Sequence, residues 1–331
     1  MNDGWRVFFL RISLDIPRVL KLLKSSFMTR TCLCLLLILR WQANSWAHND
    51  PKEDATKPSE TISNDGASAA LLCARATRWR TLRKVDLAIK DWTLALELDP
   101  TSFEAAFELT KTYVSTGNLK KGFAVVNASL DGKIADASGQ ARLHMLRALI
   151  NTLWKSYKNA GKDCDQAFEL QPTHGRIDWY LKRAYVQRMQ GLFQACEVGL
   201  KEGYAAIPST VLYIEWVESL IDAKQYEAAL KEVEAQLPGL RFSAPWQIRL
   251  AKALRGLKRN DGAKIALENA ERELDSSIEA NAKQLDITLR LDRANLRLLL
   301  GQRKGAQQDY QMAKKAGADG WMLWRFEKAF R

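Results

Sequence analysis

From Asp86 to Pro100 the chain runs in a helical rhythm. Leu87, Ala88, Asp91, Trp92, Ala95 and Leu98 recur at steps of three and four residues, which places them on one face of an α-helix. The small members of that face belong to a longer pattern. Ala76, Ala88, Ala95 and Pro100 lie 12, 7 and 5 residues apart, and Ala148, Ala160, Ala167 and Pro172 repeat those intervals. Ala251, Ala263 and Ala270, then Ala294, Ala306 and Ala313, repeat the first two. Short side chains on a fixed ladder predict one helix pair copied along the chain, kept small where helices touch closely.

Three further hairpins keep the ladder with substitutions: Thr110, Gly122 and Ser129 in the second, Ala184, Cys196 and Gly203 in the fourth, Val217, Ala229 and Gln236 in the fifth. The fifth departs at both ends, which predicts looser packing there. Gly117, Gly191 and Gly301 mark three of the turns. Lys155, Lys224 and Lys258 hold the third, fifth and sixth. They are expected to cost little so long as the backbone does not force them to positive φ.

A small residue on a first helix, a short turn, two small residues on a second helix and a closing Pro together resemble the tetratricopeptide repeat family, over about residues 69–316. The resemblance implies an all-α right-handed solenoid of about seven helix pairs, whose first helices line a concave wall. It implies protein or peptide binding rather than chemistry. After the repeats, Trp321, Trp324, Phe326 and Phe330 predict a capping helix within residues 317–331, covering the exposed apolar edge of the last hairpin.

Ahead of the repeats the pattern changes twice. Met28-Thr29-Arg30 precedes an apolar run from Thr31 to Leu39, and small residues sit three and one before the Ala47/His48 bond. That layout predicts a secretory signal peptide over residues 28–47, cleaved after Ala47. The apolar run stops at Arg40, short of the roughly 20 residues a membrane-spanning helix needs. Residues 1–27 include Trp5, Phe8, Phe9 and Leu10 among basic residues. Two readings fit them: an over-extended frame before a true start at Met28, or an amphipathic membrane-lying segment. Residues 48–68 are polar and predict a flexible linker. A periplasmic or secreted protein follows if the leader is cleaved, and a membrane-anchored assembly factor if it is kept.

The 331 residues are 47% hydrophobic, enough for a continuous core. The net charge of +12 divides as +5 over residues 1–47, −3 over 48–68 and +10 over the remainder. Such an excess, with both signs mixed, suits a solvated surface and an acidic protein or peptide partner. Basic stripes such as Arg75-Ala76-Thr77-Arg78-Trp79-Arg80 and Arg290-Leu291-Asp292-Arg293 also admit a nucleic-acid reading, which a secretory leader argues against. Cys164 and Cys196 fall on second helices of neighbouring hairpins, and two readings stay open for them: one disulfide, or small buried hydrophobes.

Counted on the repeat frame, the groove-facing residues are Glu104, Phe107, Lys111 and Val114 in the second hairpin, and Arg142, Met145, Leu149 and Thr152 in the third. The fourth offers Asp178, Leu181, Tyr185 and Arg188, the fifth Val211, Ile214, Glu218 and Ile221, and the sixth Ile248, Lys252 and Arg255. The wall reads as apolar in its middle with basic groups towards both ends. It predicts an extended peptide with apolar anchors and at least one carboxylate. His48, His144 and His174 have no second His or Cys at helical ligand spacing, so no metal site is predicted. No Gly-rich phosphate loop follows a strand. Neither a cofactor nor a catalytic set is predicted, and the chain reads as a non-enzyme.

Overall fold

The computed structural model describes residues 68–331, apart from 133, 135, 174, 282–285, 319–321, 324, 325, 327, 328 and 331. The leader, the linker up to residue 67, His48, His174, Trp321 and Trp324 lie outside the described residues.

Fourteen helices and no strand occur among the described residues, and the helices form seven hairpins. The first hairpin pairs α1 (Ala69–Thr81) with α2 (Val85–Leu98), in a compact unit that ends at Ala105. Ser68 caps α1 by accepting from the Leu71 amide. Leu72, Cys73, Ala76, Ala88, Trp92 and Ala95 form its buried core.

The second unit runs from Ala106 to Arg331 and holds the other six hairpins, except for residues 103–105 at the start of the second. They are α3 (Phe103–Ser115) with α4 (Leu119–Asp131), α5 (Ala137–Leu153) with α6 (Tyr157–Leu170), and α7 (Ile177–Met189) with α8 (Phe193–Ala206). Then come α9 (Thr210–Asp222) with α10 (Tyr226–Gln236), α11 (Ala244–Gly256) with α12 (Asn260–Ala280), and α13 (Ile287–Leu299) with α14 (Arg303–Lys315). From α4 onward each helix packs on the next in sequence. The first helices also touch one another: α5 meets α7, α7 meets α9, α9 meets α11, and α11 meets α13. This is the all-α solenoid that the repeat resemblance implies, with a wall made of first helices.

The ladder explains why the hairpins close. Ala148, Ala160, Ala167, Ala251, Ala263, Ala270, Ala294, Ala306 and Ala313 are all fully buried. A Cβ on Gly203, a rung of the fourth hairpin, would stand 2.7 Å from the Tyr180 ring, so a larger residue there forces ring and helix apart. In the fifth hairpin Val217 and Ala229 are buried but Gln236 is only half-buried. Aromatic bulk takes over from the missing rung: the Tyr213 ring lies 4.9 Å from Tyr204 and 5.5 Å from Trp246, centroid to centroid. Packing that the broken ladder predicts to be looser is filled in this way.

All seven hairpin turns share one geometry. Their left-handed residues have φ between 58° (Arg83) and 77° (Gly117). In each turn the next amide reaches a carbonyl five residues back, as Lys84 does to Trp79 and Ser156 to Asn151, which closes the helix end. Glycine fills the position only at residues 117, 191 and 301; Arg83, Lys155, Lys224 and Lys258 fill it elsewhere. The expectation that these lysines avoid positive φ is therefore corrected, because the closing hydrogen bond fixes their backbone. A left-handed L-residue costs about 1–2 kcal/mol, and glycine returns part of that as unfolded-state entropy. Lys155→Gly, Lys224→Gly and Lys258→Gly are each expected to raise stability by about 0.5–1 kcal/mol, read from urea unfolding midpoints.

A ladder of charge accompanies the ladder of size. Arg75 pairs with Asp91 at 2.7 Å, Arg147 with Asp163 at 2.7 Å, and Arg293 with Asp309 at 2.8 Å. Each pair is 16 residues apart and joins the two helices of one hairpin. His144 joins the middle cluster, with Nδ1 3.2 Å from Asp163. In the fourth hairpin glycine stands at that interval, and Arg183 lies 3.8 Å over the Phe168 ring instead. Cys73, Cys164 and Cys196 are buried and none is in a disulfide, so the disulfide reading gives way to buried thiols. Burial pushes the Cys164 thiol up to about 12.

Residues 322, 323, 326 and 329 are helical. Leu323 and Phe326 are buried in one cluster with Leu291, Ala294, Tyr310 and Ala313. They seal the last hairpin.

Candidate functional site

The first-helix wall carries two kinds of surface. At its start Phe107 on α3 lies between two cations, with Lys111 Nζ 5.2 Å and Arg142 Cζ 4.4 Å from its ring centroid. Lys111 is exposed and also reaches Glu108 at 3.3 Å. Further along, Leu149, Leu181, Tyr185 and Ile214 are half-buried, and Tyr185 meets the edge of Tyr157.

Several residues expected on the groove belong to the interior. Met145 and Ile248 are buried in clusters that their hairpins share with the next one, Met145 with Trp179 and Val186, Ile248 with Leu296. Arg188 is held in place: its Nη1 donates to Glu215 at 2.7 Å, its Nε to Asp222 at 3.0 Å, and its Nη2 to the Glu215 carbonyl at 3.0 Å. Glu218 is buried between Arg249 at 3.1 Å and Lys252 at 2.5 Å. Arg255 stays exposed and donates to the Leu299 carbonyl at 2.9 Å. The correction has one cause. Neighbouring first helices touch each other, so a frame position that points towards the next helix is covered by it.

A pocket of about 240 Å³ opens on this wall between α9, α11 and α13. Val211 and Ile214 come from α9, Pro245 and Arg249 from α11, and Thr288, Leu291, Asp292 and Asn295 from α13. Glu215 completes the α9 side, and Met322 and Phe326 of the sealing segment close one end. Val211 and Ile214 are groove positions of the repeat frame. Thr288, Leu291 and Asn295 stand where the same frame falls in the seventh hairpin, six and three residues before Ala294 and one after it. Carrying the count one hairpin further finds them. Glu215, Arg249 and Asp292 share a different column, two residues before Val217, Ala251 and Ala294, which the frame leaves out.

The charges in and behind the pocket are unequally satisfied. Glu215 is spent on Arg188, and Arg249 on Glu218 and on the Pro245 carbonyl. Asp292 makes no hydrogen bond or ion pair with a described residue. Burial pushes its carboxyl up to about 6; Arg249 and Lys252 pull against that, while Glu218 and Asp286 add to it. Among the described residues no group of three or more His, Cys, Asp or Glu could hold a metal ion, and no helix is long and apolar enough to cross a membrane.

No protein-family profile matches this sequence, and no curated protein sequence matches it either. Solved structures do. A tetratricopeptide repeat protein from Parabacteroides merdae is 16% identical, over 71% of this chain and 91% of its own, at a TM-score of 0.45. YrrB, described as a tetratricopeptide repeat protein with an unusual peptide-binding site, is 14% identical, over 58% of this chain and 97% of its own, at 0.46. Yeast Tom70 is 17% identical, over 83% of this chain and 57% of its own, at 0.44.

Proposed function

We propose that the chain is a non-catalytic scaffold that holds a protein or extended peptide along its first-helix wall, outside the cytoplasm and behind a cleaved leader. The observation that carries the binding reading is the pocket on that wall, mostly apolar with a few polar groups, built from three successive hairpins and their seal. Pockets of mixed lining on rigid helices suit a side chain presented by an extended partner. The basic platform of Lys111 and Arg142 on Phe107 suits a carboxylate of the same partner. The location rests on the small residues before Ala47/His48 and on the apolar run that precedes them.

Both halves of the reading have direct tests. A partner captured on the immobilised chain is purified and rebound to the double variant Lys111→Glu, Arg142→Glu. Binding is expected to fall at least tenfold with little change in melting temperature, since both cations lie at the wall surface. Unchanged binding removes the platform from the interface. N-terminal sequencing of the fractionated native protein is expected to begin at His48. An intact N-terminus in a membrane fraction favours the anchored assembly factor instead.

A further inference from the structure

Charge bookkeeping in the pocket singles out Asp292. Every other charged group lining it already faces an opposite charge at 3.1 Å or less: Glu215 with Arg188, and Arg249 with Glu218. Arg249 is already engaged on two sides, its Nη1 donating to the Pro245 carbonyl and its Nε facing Glu218. One carboxylate is left over, at the side of a recess whose remaining walls include Ile214, Leu291, Met322 and Phe326. An apolar shaft with a cationic tip is complementary to such a recess.

Building on the scaffold reading, we propose that this pocket is a subsite for one basic side chain of the bound segment, a lysine or an arginine. Its methylenes lie against Ile214, Leu291, Met322 and Phe326, and its cation meets Asp292. The wall then reads opposite charges at its two surfaces, a carboxylate at Lys111 and Arg142 and a cation at Asp292. The acidic partner expected from net charge alone becomes a partner carrying both signs. Low pH opposes the contact. A carboxyl that titrates near pH 6 is protonated below it, and a neutral acid gives a cation little, so affinity is expected to drop roughly tenfold from pH 8 to pH 5. The charged groups that set this titration are Arg249 and Lys252 on α11, Glu218 on α9, and Asp286 at the start of α13, while Glu215 on α9 lines the same pocket.

The probes are four capped tripeptides, acetyl-Leu-X-Leu-amide with X lysine, arginine, norleucine or glutamate. They are titrated into the whole chain labelled at its methionine methyls, with the Met322 signal assigned by Met322→Leu. Lysine and arginine peptides are expected to shift Met322 to saturation, and norleucine and glutamate at least tenfold more weakly. Asp292→Asn keeps the shape of the side chain and is expected to erase the preference for lysine over norleucine. If norleucine shifts Met322 as well as lysine does, or if Asp292→Asn leaves the preference intact, the basic subsite is wrong, although the wall still binds peptide. If no peptide moves Met322 while the captured partner still binds, the subsite falls and the scaffold reading stands. Failure of both experiments overturns both.

Discussion

Asp309→Ala is expected to destabilise the second unit by about 3–5 kcal/mol. The carboxylate is 1% exposed and accepts from Arg293 at 2.9 and 2.8 Å, from Arg297 at 2.6 Å and from Arg290 at 3.1 Å. These three arginines come from α13, and Asp309 comes from α14, so one side chain holds the last hairpin shut. Truncation leaves three guanidinium groups in partly buried positions with their shared acceptor gone, which is the costly half of a buried ion pair. Asp275 keeps a grip on Arg293 at 2.9 Å but touches neither neighbour. Equilibrium urea unfolding measures the loss; a change below 1 kcal/mol contradicts the clamp. Arg290→Ala alone, which leaves Asp309 with two partners, is expected to cost about 1 kcal/mol.

Acid should act through the same carboxylates. Burial by itself would raise Asp309, but hydrogen bonds from Arg293 and Arg290 outweigh it and hold the carboxyl below its ordinary 3.8. Asp163 behaves alike, with His144, Arg147 and Asn151 overcoming burial. For a depressed carboxyl, stability is fully present above the unfolded value and is lost as pH falls through the lower folded value. Asp292 has the opposite sign: its raised carboxyl makes the fold relatively more stable as pH falls from about 6 towards 3.8. The chain is therefore expected to hold its stability through mild acid and lose it below 3.8, with Asp309→Ala losing less over that last interval than the parent.

The second large effect is expected at Arg188. Arg188→Glu removes a cation that is 3% exposed and sets a third carboxylate beside Glu215 and Asp222. The hydrogen bonds lost tie α7 to α9, neighbouring first helices of the wall. The cost is expected to exceed about 4 kcal/mol, a fall in melting temperature of about 10 °C or more for a unit of this size. Arg188→Met keeps the length of the side chain and adds no charge, and is expected to lose about half as much. Circular dichroism melts separate the two. Equal, small shifts mean that Arg188 is a surface group after all, as its place on the repeat frame first implies.

That difference shows how far the sequence carries. Hairpins, turns and rungs are legible because close helix contact demands short side chains, and the demand leaves an interval that can be counted. Arg75–Asp91, Arg147–Asp163 and Arg293–Asp309 were countable too, at one constant interval of 16, but only the alignment of two helices shows that the partners meet. Groove membership is harder. The frame places Met145, Ile248, Glu218 and Arg188 on the wall, and the contact of successive first helices covers them. The rotation of one hairpin on the next decides which columns stay open, and no period in the sequence fixes it. Asp292 falls outside the groove frame for that reason: its column matters only because the pocket opens there.

Phe326 carries two duties on one ring, plugging the terminal hairpin and walling the pocket. Fraying at that end and emptying of the recess are thus the same event. An occupant gripping Phe326 would slow amide exchange through α13 and α14, so the guest acts as a removable end-stop for the array.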